Sequence, residues 1–372
     1  MRILFISTMA GAPWGGSEEL WARSAEYAIE KGHEVIISVY NWGDLHPQLN
    51  LLEKKGATII LRKRIFYGMT LFQRAKGLFI KKMLAAKEIR KLSSLRPDAI
   101  FISQGTIYEC MFPEFRDLQL NTNAKTYIIT QANSEYENLP GECRKTGKVI
   151  FANATKTYFV SERNKSVAER QLALLLRNAE VISNPANLQN IEDLFWYETE
   201  CLNMAFVGRI NSTVKGLGVL FQILGEQKWR DRNWHLNLYG KGEDELYLTE
   251  LAEVYQIKDK ISFKGYANDI REIWKENHLL LMPSTLEGTP LALIEAMLCE
   301  RAAVVSDVGG NSDLVKEGLN GFLAEAPSVY SFGNAMNRMW ENKSKLKQMG
   351  IEGKKLANKI RIDDYKKIID HL

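Results

Sequence analysis

The sequence predicts an α/β protein built from two doubly wound domains, and three observations predict it. The chain has 372 residues, more than one core usually spans. Short apolar runs alternate with helical periods along its length, the mark of strand-helix-strand units and parallel sheets. This alternation pauses after Asn184-Pro185 and restarts near residue 203. We therefore expect a first domain over 1–184, a linker over 185–202, a second domain over 203–358 and a terminal helix over 359–372.

The first domain opens with strand Ile3 to Ser7 and a loop holding Gly15-Gly16. Ser17 can cap a helix over Glu18 to Lys31, and Gly32 closes it before strand Glu34 to Val39. Further strands are expected at Thr58 to Leu61, Ala99 to Ser103, Lys125 to Thr130, Thr157 to Val160 and Val181 to Ser183. In the second domain, strand Met204 to Val207 runs into Gly208-Arg209 and Lys215-Gly216, and a helix starts near Leu217. Strand Leu236 to Tyr239 runs into Gly240-Lys241-Gly242, with a helix over Glu243 to Tyr255. Strand Ile261 to Phe263 ends at Gly265-Tyr266, and Ala303 to Val305 ends at Ser306 through Gly310. The last residues, Ile362 to Leu372, read as an amphipathic helix with Tyr365, Ile368, Ile369 and Leu372 on its apolar side. No G-x-G-x-x-G follows the first strand, which argues against a nicotinamide-binding domain.

The stretch Glu287 to Glu295 carries the most chemistry. The apolar run Leu279 to Met282, ended by Pro283, reads as a buried strand. Thr289 is a good N-cap and Pro290 suits the first helical position, so a helix is expected from Pro290 to about Leu298. Free N–H groups around Leu291 and Ala292 would then form an anion site, with Glu287 before the helix and Glu295 on the face of its first turn. A nucleotide sugar has matching chemistry, with phosphates in the middle and hydroxyls at both ends. Arg209 and Lys215 add the cations that a diphosphate leaving group needs. No D-x-D occurs in the chain, so Arg, Lys and a helix dipole are expected to do the work of a divalent metal.

Composition is that of a soluble globular protein, with 45% hydrophobic and 25% charged residues. No run reaches transmembrane length, and the N-terminal apolar segment is too short for a signal sequence, so a cytoplasmic protein, peripheral at most, is expected. Cys110, Cys143, Cys201 and Cys299 show no metal-binding spacing and read as buried free thiols. Residues 1–184 hold 26 Lys and Arg against 18 Asp and Glu, and between Lys54 and Arg96 thirteen basic residues face only Glu88. Leu71, Leu78, Phe79, Met83, Leu84 and Ile89 recur there at helical spacing. Two readings stand: a helix on the sheet with a solvated basic face, or a surface helix meeting an anionic membrane across 54–96. Nucleic acid is not expected, because the aromatic interleaving of a base-stacking surface is thin.

Taken together, Phe206-Val207-Gly208-Arg209 with Lys215-Gly216, Tyr239-Gly240-Lys241-Gly242, Phe263-Lys264-Gly265-Tyr266, Glu287-Gly288-Thr289-Pro290 through Glu295-Ala296, and Gly309-Gly310 through Asn320-Gly321 resemble glycosyltransferase family 4. Gly15-Gly16-Ser17-Glu18 and Asn184-Pro185 match as well. The resemblance implies a GT-B fold, two Rossmann-like domains facing across a cleft with the final helix returning to the first. It also implies metal-independent transfer with retention, from a nucleoside-diphosphate sugar to a hydroxyl of a glycan or lipid-linked acceptor, in cell-envelope polysaccharide or glycolipid synthesis. By the resemblance, Arg209, Lys215 and Glu287 are catalytic, the first two on the diphosphate and Glu287 on the donor sugar. Glu295 would hold the ribose. Gly15, Gly16, Gly208, Gly240, Gly242, Gly265, Tyr266, Gly288, Thr289, Pro290 and Leu291 would complete the donor site. No metal or other cofactor is implied.

Many family members carry a histidine where this chain has Gln131, and none of its histidines, at 33, 46, 235, 278 and 371, lies nearby. Glutamine donates a hydrogen bond but does not titrate, so Gln131 is at most an acceptor or sugar contact. A nucleotide-sugar epimerase of the same fold, or a non-catalytic nucleotide-sugar-binding subunit, stays open beside the transferase.

Overall fold

The computed structural model describes residues 1–63, 87, 90–106, 108–185, 194–196, 198–267, 269–360 and 363–372. The chain divides into two compact units, Met1–Pro185 with Ile362–Leu372, and Ala186–Arg361.

The first unit contains, among the described residues, strands β1 (Arg2–Ser7), β2 (Glu34–Tyr40), β3 (Thr58–Arg62), β4 (Ala99–Gln104), β5 (Lys125–Thr130), β6 (Lys156–Phe159) and β7 (Ala179–Val181). They form one parallel sheet in the order β3-β2-β1-β4-β5-β6-β7. Its inner strands β1, β2 and β4 read as near-continuous apolar runs because both faces are covered, whereas the edge strands β3 and β7 are only partly buried. Ile3 and Phe5 pack with Trp21 and Ala25 of helix Glu19–Glu30, whereas Leu4 and Ile6 pack with Phe115 and Phe151 on the other side. The helix Asp364–Asp370 lies against Glu19–Glu30: Ser24 Oγ donates to the Tyr365 carbonyl at 3.1 Å and Tyr27 to Asp370 Oδ1 at 3.2 Å. Ile368 and Ile369 are buried there.

The second unit contains β8 (Leu202–Val207), β9 (Trp234–Tyr239), β10 (Ile261–Gly265), β11 (Leu279–Met282), β12 (Ala302–Ser306) and β13 (Gly321–Ala324). These strands are parallel in the order β10-β9-β8-β11-β12-β13. Met204 and Phe206 face one core with Leu220 and Phe221, and Ala205 faces the other with Leu280 and Trp274.

Several local expectations are corrected. Ser17 does not cap the first long helix: a 3-10 turn over Gly16–Glu18 comes first, and the α-helix starts at Glu19. The helix expected from Glu243 starts at Glu245, because Glu243 and Asp244 are engaged by Arg209 and Ser212 of the loop after β8. A short helix, Ser212–Lys215, stands where the sequence suggests only loop. β7 lies two residues before its expected place. Cys110 and Cys299 are buried, but Cys143 is exposed and Cys201 half-buried, against the expectation for those two. Most of the basic stretch over 54–96, residues 64–86, 88 and 89, lies outside the described residues, and the membrane-surface expectation with it. Among the described residues no helix is long and apolar enough to cross a membrane.

Candidate active site

In the second unit all carboxyl ends of the parallel strands lie on one sheet edge. Strand order reverses between β8 and β11, which pair directly through Leu279 with Met204 and Leu280 with Ala205. Loops leaving an open parallel sheet at such a switch point diverge and leave a crevice for a ligand. Gly208-Arg209 follow β8, and Pro283 to Glu287 follow β11.

Helix Ser212–Lys215 starts from Asn211, whose side chain accepts from the Val214 amide at 2.7 Å, and delivers Lys215 toward β11. Lys215 Nζ donates to Glu287 Oε1 at 2.6 Å, with the Glu287 side chain only 8% exposed and that of Lys215 24%. The loop carrying Glu287 is fastened on both sides. Thr285 donates its amide to the Val214 carbonyl at 2.9 Å and its hydroxyl to the Thr213 carbonyl at 3.0 Å. Across the loop, the Gly310 amide reaches the Gly288 carbonyl at 2.6 Å. Gly309 sits at φ +55°, where a Cβ would come within 2.3 Å of the Glu287 carbonyl oxygen. Glycine is required here by both conformation and contact.

The helix beyond this loop spans Leu291–Leu298 with Pro290 as its N-cap, so Thr289 and Pro290 each stand one position earlier than expected. Pro290 keeps extended backbone, ψ 123°, and its carbonyl accepts the first turn through Leu293 at 3.2 Å. The Leu291 and Ala292 amides precede any possible intrahelical partner and point out of the helix start. Glu295 is buried one turn further on.

Arg209 is not drawn to Glu287. Its Nε and Nη2 donate to Glu243 at 3.0 to 3.2 Å, and Asn211 Nδ2 donates to the same carboxylate at 2.7 Å. The Glu243 backbone amide, then Asn211, then Arg209 hold its carboxyl below the usual range. Gly208 donates to the Tyr239 carbonyl at 2.9 Å, and Gly240 to that of Gly265 at 2.8 Å, so these glycines line adjacent strand ends. Tyr266 is exposed, with Lys241 Nζ 5.9 Å from its ring centroid. Gly242 packs on the Ile210 backbone.

The remaining predicted residues belong to the first unit. Gly15 accepts the Glu18 amide at 2.9 Å, and Gly16 opens the 3-10 turn after β1. Gln131 follows β5 and is buried; its Oε1 accepts from Asn184 Nδ2 at 3.1 Å, and its Nε2 has no partner among the described residues. Sequence reasoning missed Glu18. The residue is 4% exposed, and burial raises its carboxyl to about 7, with Ser7, Trp21 and Ser17 beside it opposing the rise. It also missed Glu243, although an acid directly after Gly240-Lys241-Gly242 is a readable signal. A separate cavity of about 370 Å³, lined by Asn203, His235, Asn237, Lys264, Lys275 and Glu276, holds none of the predicted residues.

Residues 198–356 match the family model for glycosyl transferases group 1. Over 123 residues, 32% of this chain and 30% of the relative, it is 36% identical to the UDP-Gal:alpha-D-GlcNAc-diphosphoundecaprenol alpha-1,3-galactosyltransferase of Escherichia coli. An uncharacterized glycosyltransferase of Haemophilus influenzae is 28% identical over 362 residues, 96% of each chain. Among solved structures, Anabaena HepE in complex with UDP aligns with TM-score 0.72 at 17% identity, covering 100% of this chain and 99% of that one. That likeness, with the two parallel sheets, shows the fold as GT-B, two Rossmann-like domains.

Proposed function

We propose that this protein is a retaining, metal-independent glycosyltransferase. It would move a sugar from a nucleoside-diphosphate sugar to a hydroxyl of a glycan or lipid-linked acceptor in cell-envelope polysaccharide or glycolipid synthesis. The observation that carries the proposal is the Lys215–Glu287 pair at 2.6 Å, at the carboxyl edge of the sheet and inside the matched glycosyltransferase domain. A cation and a buried carboxylate held together at a switch point suit the two ends of one bond, a diphosphate oxygen and the sugar leaving it.

In transfer, the bond from the anomeric carbon to the diphosphate breaks as the acceptor oxygen bonds to that carbon, and the acceptor proton ends on the diphosphate. Negative charge grows on the leaving oxygen. Lys215, Arg209 and the free amides of Leu291 and Ala292 stabilise it from fixed positions, with no reorganisation at the moment of reaction. Glu287 orients the sugar hydroxyls, and Glu295 the ribose. Removing one such donor to developing charge typically slows turnover by roughly 10²–10³. The diphosphoundecaprenol substrate in the name of the Escherichia coli relative, matched over 123 residues, supports a lipid-linked acceptor. The test is turnover of UDP-sugars and GDP-sugars with undecaprenyl-diphosphate glycan acceptors in EDTA. We expect transfer with retained anomeric configuration, lost in Arg209→Ala and Lys215→Ala with the fold intact; near-normal rates in both variants would sink the proposal.

A further inference from the structure

We infer that Glu243 is a positioning residue for the donor diphosphate, acting through Arg209; this rests on the proposed role of Arg209 as a diphosphate ligand. A guanidinium has separate hydrogen-bonding edges and can serve two anions at once. Glu243 takes the Nε and Nη2 edge of Arg209, with three contacts from 3.0 to 3.2 Å. Nη1 makes no hydrogen bond among the described residues, so the opposite edge is the one presented for a phosphate.

The carboxylate is itself tied into the loop that carries both cations. Asn211 Nδ2 donates to Glu243 Oε1 at 2.7 Å, while Asn211 Oδ1 receives the Val214 amide at 2.7 Å and so starts the helix ending at Lys215. Next door, Asp244 Oδ2 accepts the Ser212 amide at 2.6 Å. Gly242 permits this approach, since a Cβ there would lie 2.0 Å from the Ile210 carbonyl oxygen. Residues 242–244 therefore form a strut against 209–214, and Glu243 is its charged tip. Both partners are about half exposed, and an exposed ion pair contributes little to folding. What the pair supplies is orientation: one long side chain is held in a single pose before a ligand arrives.

The experiment is calorimetric titration of UDP and GDP into the wild-type protein, Glu243→Ala, Glu243→Gln, Arg209→Ala and the double variant Glu243→Ala/Arg209→Ala. Loss of a preset charge-assisted contact should weaken nucleoside-diphosphate binding in Glu243→Ala about tenfold. Glu243→Gln, which keeps an acceptor for Asn211 and Arg209, should recover part of that loss. In the Arg209→Ala background, Glu243→Ala should have no further effect. Unchanged or tighter binding in Glu243→Ala overturns the inference, and so does an equal loss with and without Arg209, which would mean that Glu243 acts through loop structure alone. Wild-type affinity in Arg209→Ala instead overturns the role given to Arg209. Failure of both nucleotides to bind the wild-type protein overturns the donor reading and this inference with it.

Discussion

Lys215 Nζ lies 2.6 Å from Glu287 Oε1, a bond between a helix after β8 and a loop after β11. The two strands pair directly, so the ion pair closes the switch point of the second sheet. Each partner has its own proposed task, the cation on the diphosphate and the carboxylate on the sugar, so their variants should differ.

Lys215→Ala removes the cation beside a buried carboxylate, and we expect a stability loss of about 2 kcal/mol, less than for a fully buried pair because Lys215 is partly exposed. Nucleoside-diphosphate binding should fall at the same time. Glu287→Gln keeps an acceptor for Lys215, so UDP or GDP binding should stay within about threefold while sugar transfer is lost. Parallel titration and turnover assays check this. Equal loss of nucleotide binding in both variants would contradict the division of tasks.

Gly309→Ala should disrupt the site from outside it. The new methyl group would meet the Glu287 and Gly288 carbonyl oxygens at 2.3 and 2.6 Å, at a backbone φ of +55°. We expect destabilisation of at least about 2 kcal/mol and displacement of the Glu287 loop. Gly318→Ala is the control: φ is +72° but nothing lies within 4 Å of its Cβ, so only the conformational cost of about 1 kcal/mol applies. Thermal melts with and without nucleotide separate the two, and only Gly309→Ala should lose the nucleotide shift.

Glu18 gives a pH dependence. Burial raises its carboxyl to about 7, above the usual carboxylate value of 4.5. Between these values the folded protein holds a proton that the unfolded chain has lost, so stability from this group is full below 4.5 and falls as pH rises through about 7. Glu18→Gln removes that fall. Relative to wild type, the variant should gain up to roughly 3 kcal/mol on moving from pH 4 to pH 8. Denaturant unfolding across this range measures it, and parallel pH curves for the two proteins would contradict the assignment.

Gln131 is expected to act through its unpartnered Nε2, since Asn184 occupies its Oε1. Gln131→Ala should lower the rate of sugar transfer without moving its pH profile, because the amide does not titrate. A profile shifted by this substitution would show that a proton-transfer network passes through position 131.

Much of the second sheet was legible because its strands are short apolar runs punctuated by glycine, as in Met204 to Gly208 and Leu279 to Pro283. The contact of Lys215 with Glu287 follows from the β8–β11 pairing, and neither apolar run states which strand will be its neighbour. The partner of Arg209 was not legible, because its contact with Glu243 joins loops 34 residues apart and leaves no periodic signal. Helix boundaries failed for local reasons. Pro290 has extended backbone and so serves as the cap instead of the first helical residue, and the Gly16–Glu18 turn displaces Ser17 from the cap it was expected to form. Glu18 was missed since a carboxylate beside a glycine loop looks solvated until its burial is known.

The most direct measurement is thermal melting in EDTA with UDP, GDP and ADP, for the wild-type protein and Lys215→Ala. A nucleotide at about 100 times its dissociation constant stabilises the fold it binds by roughly 2.7 kcal/mol. We predict a rise in melting temperature with one of these nucleotides in the wild-type protein and none in Lys215→Ala. No rise with any of the three, or the same rise in both proteins, would contradict a metal-free donor site built on Lys215.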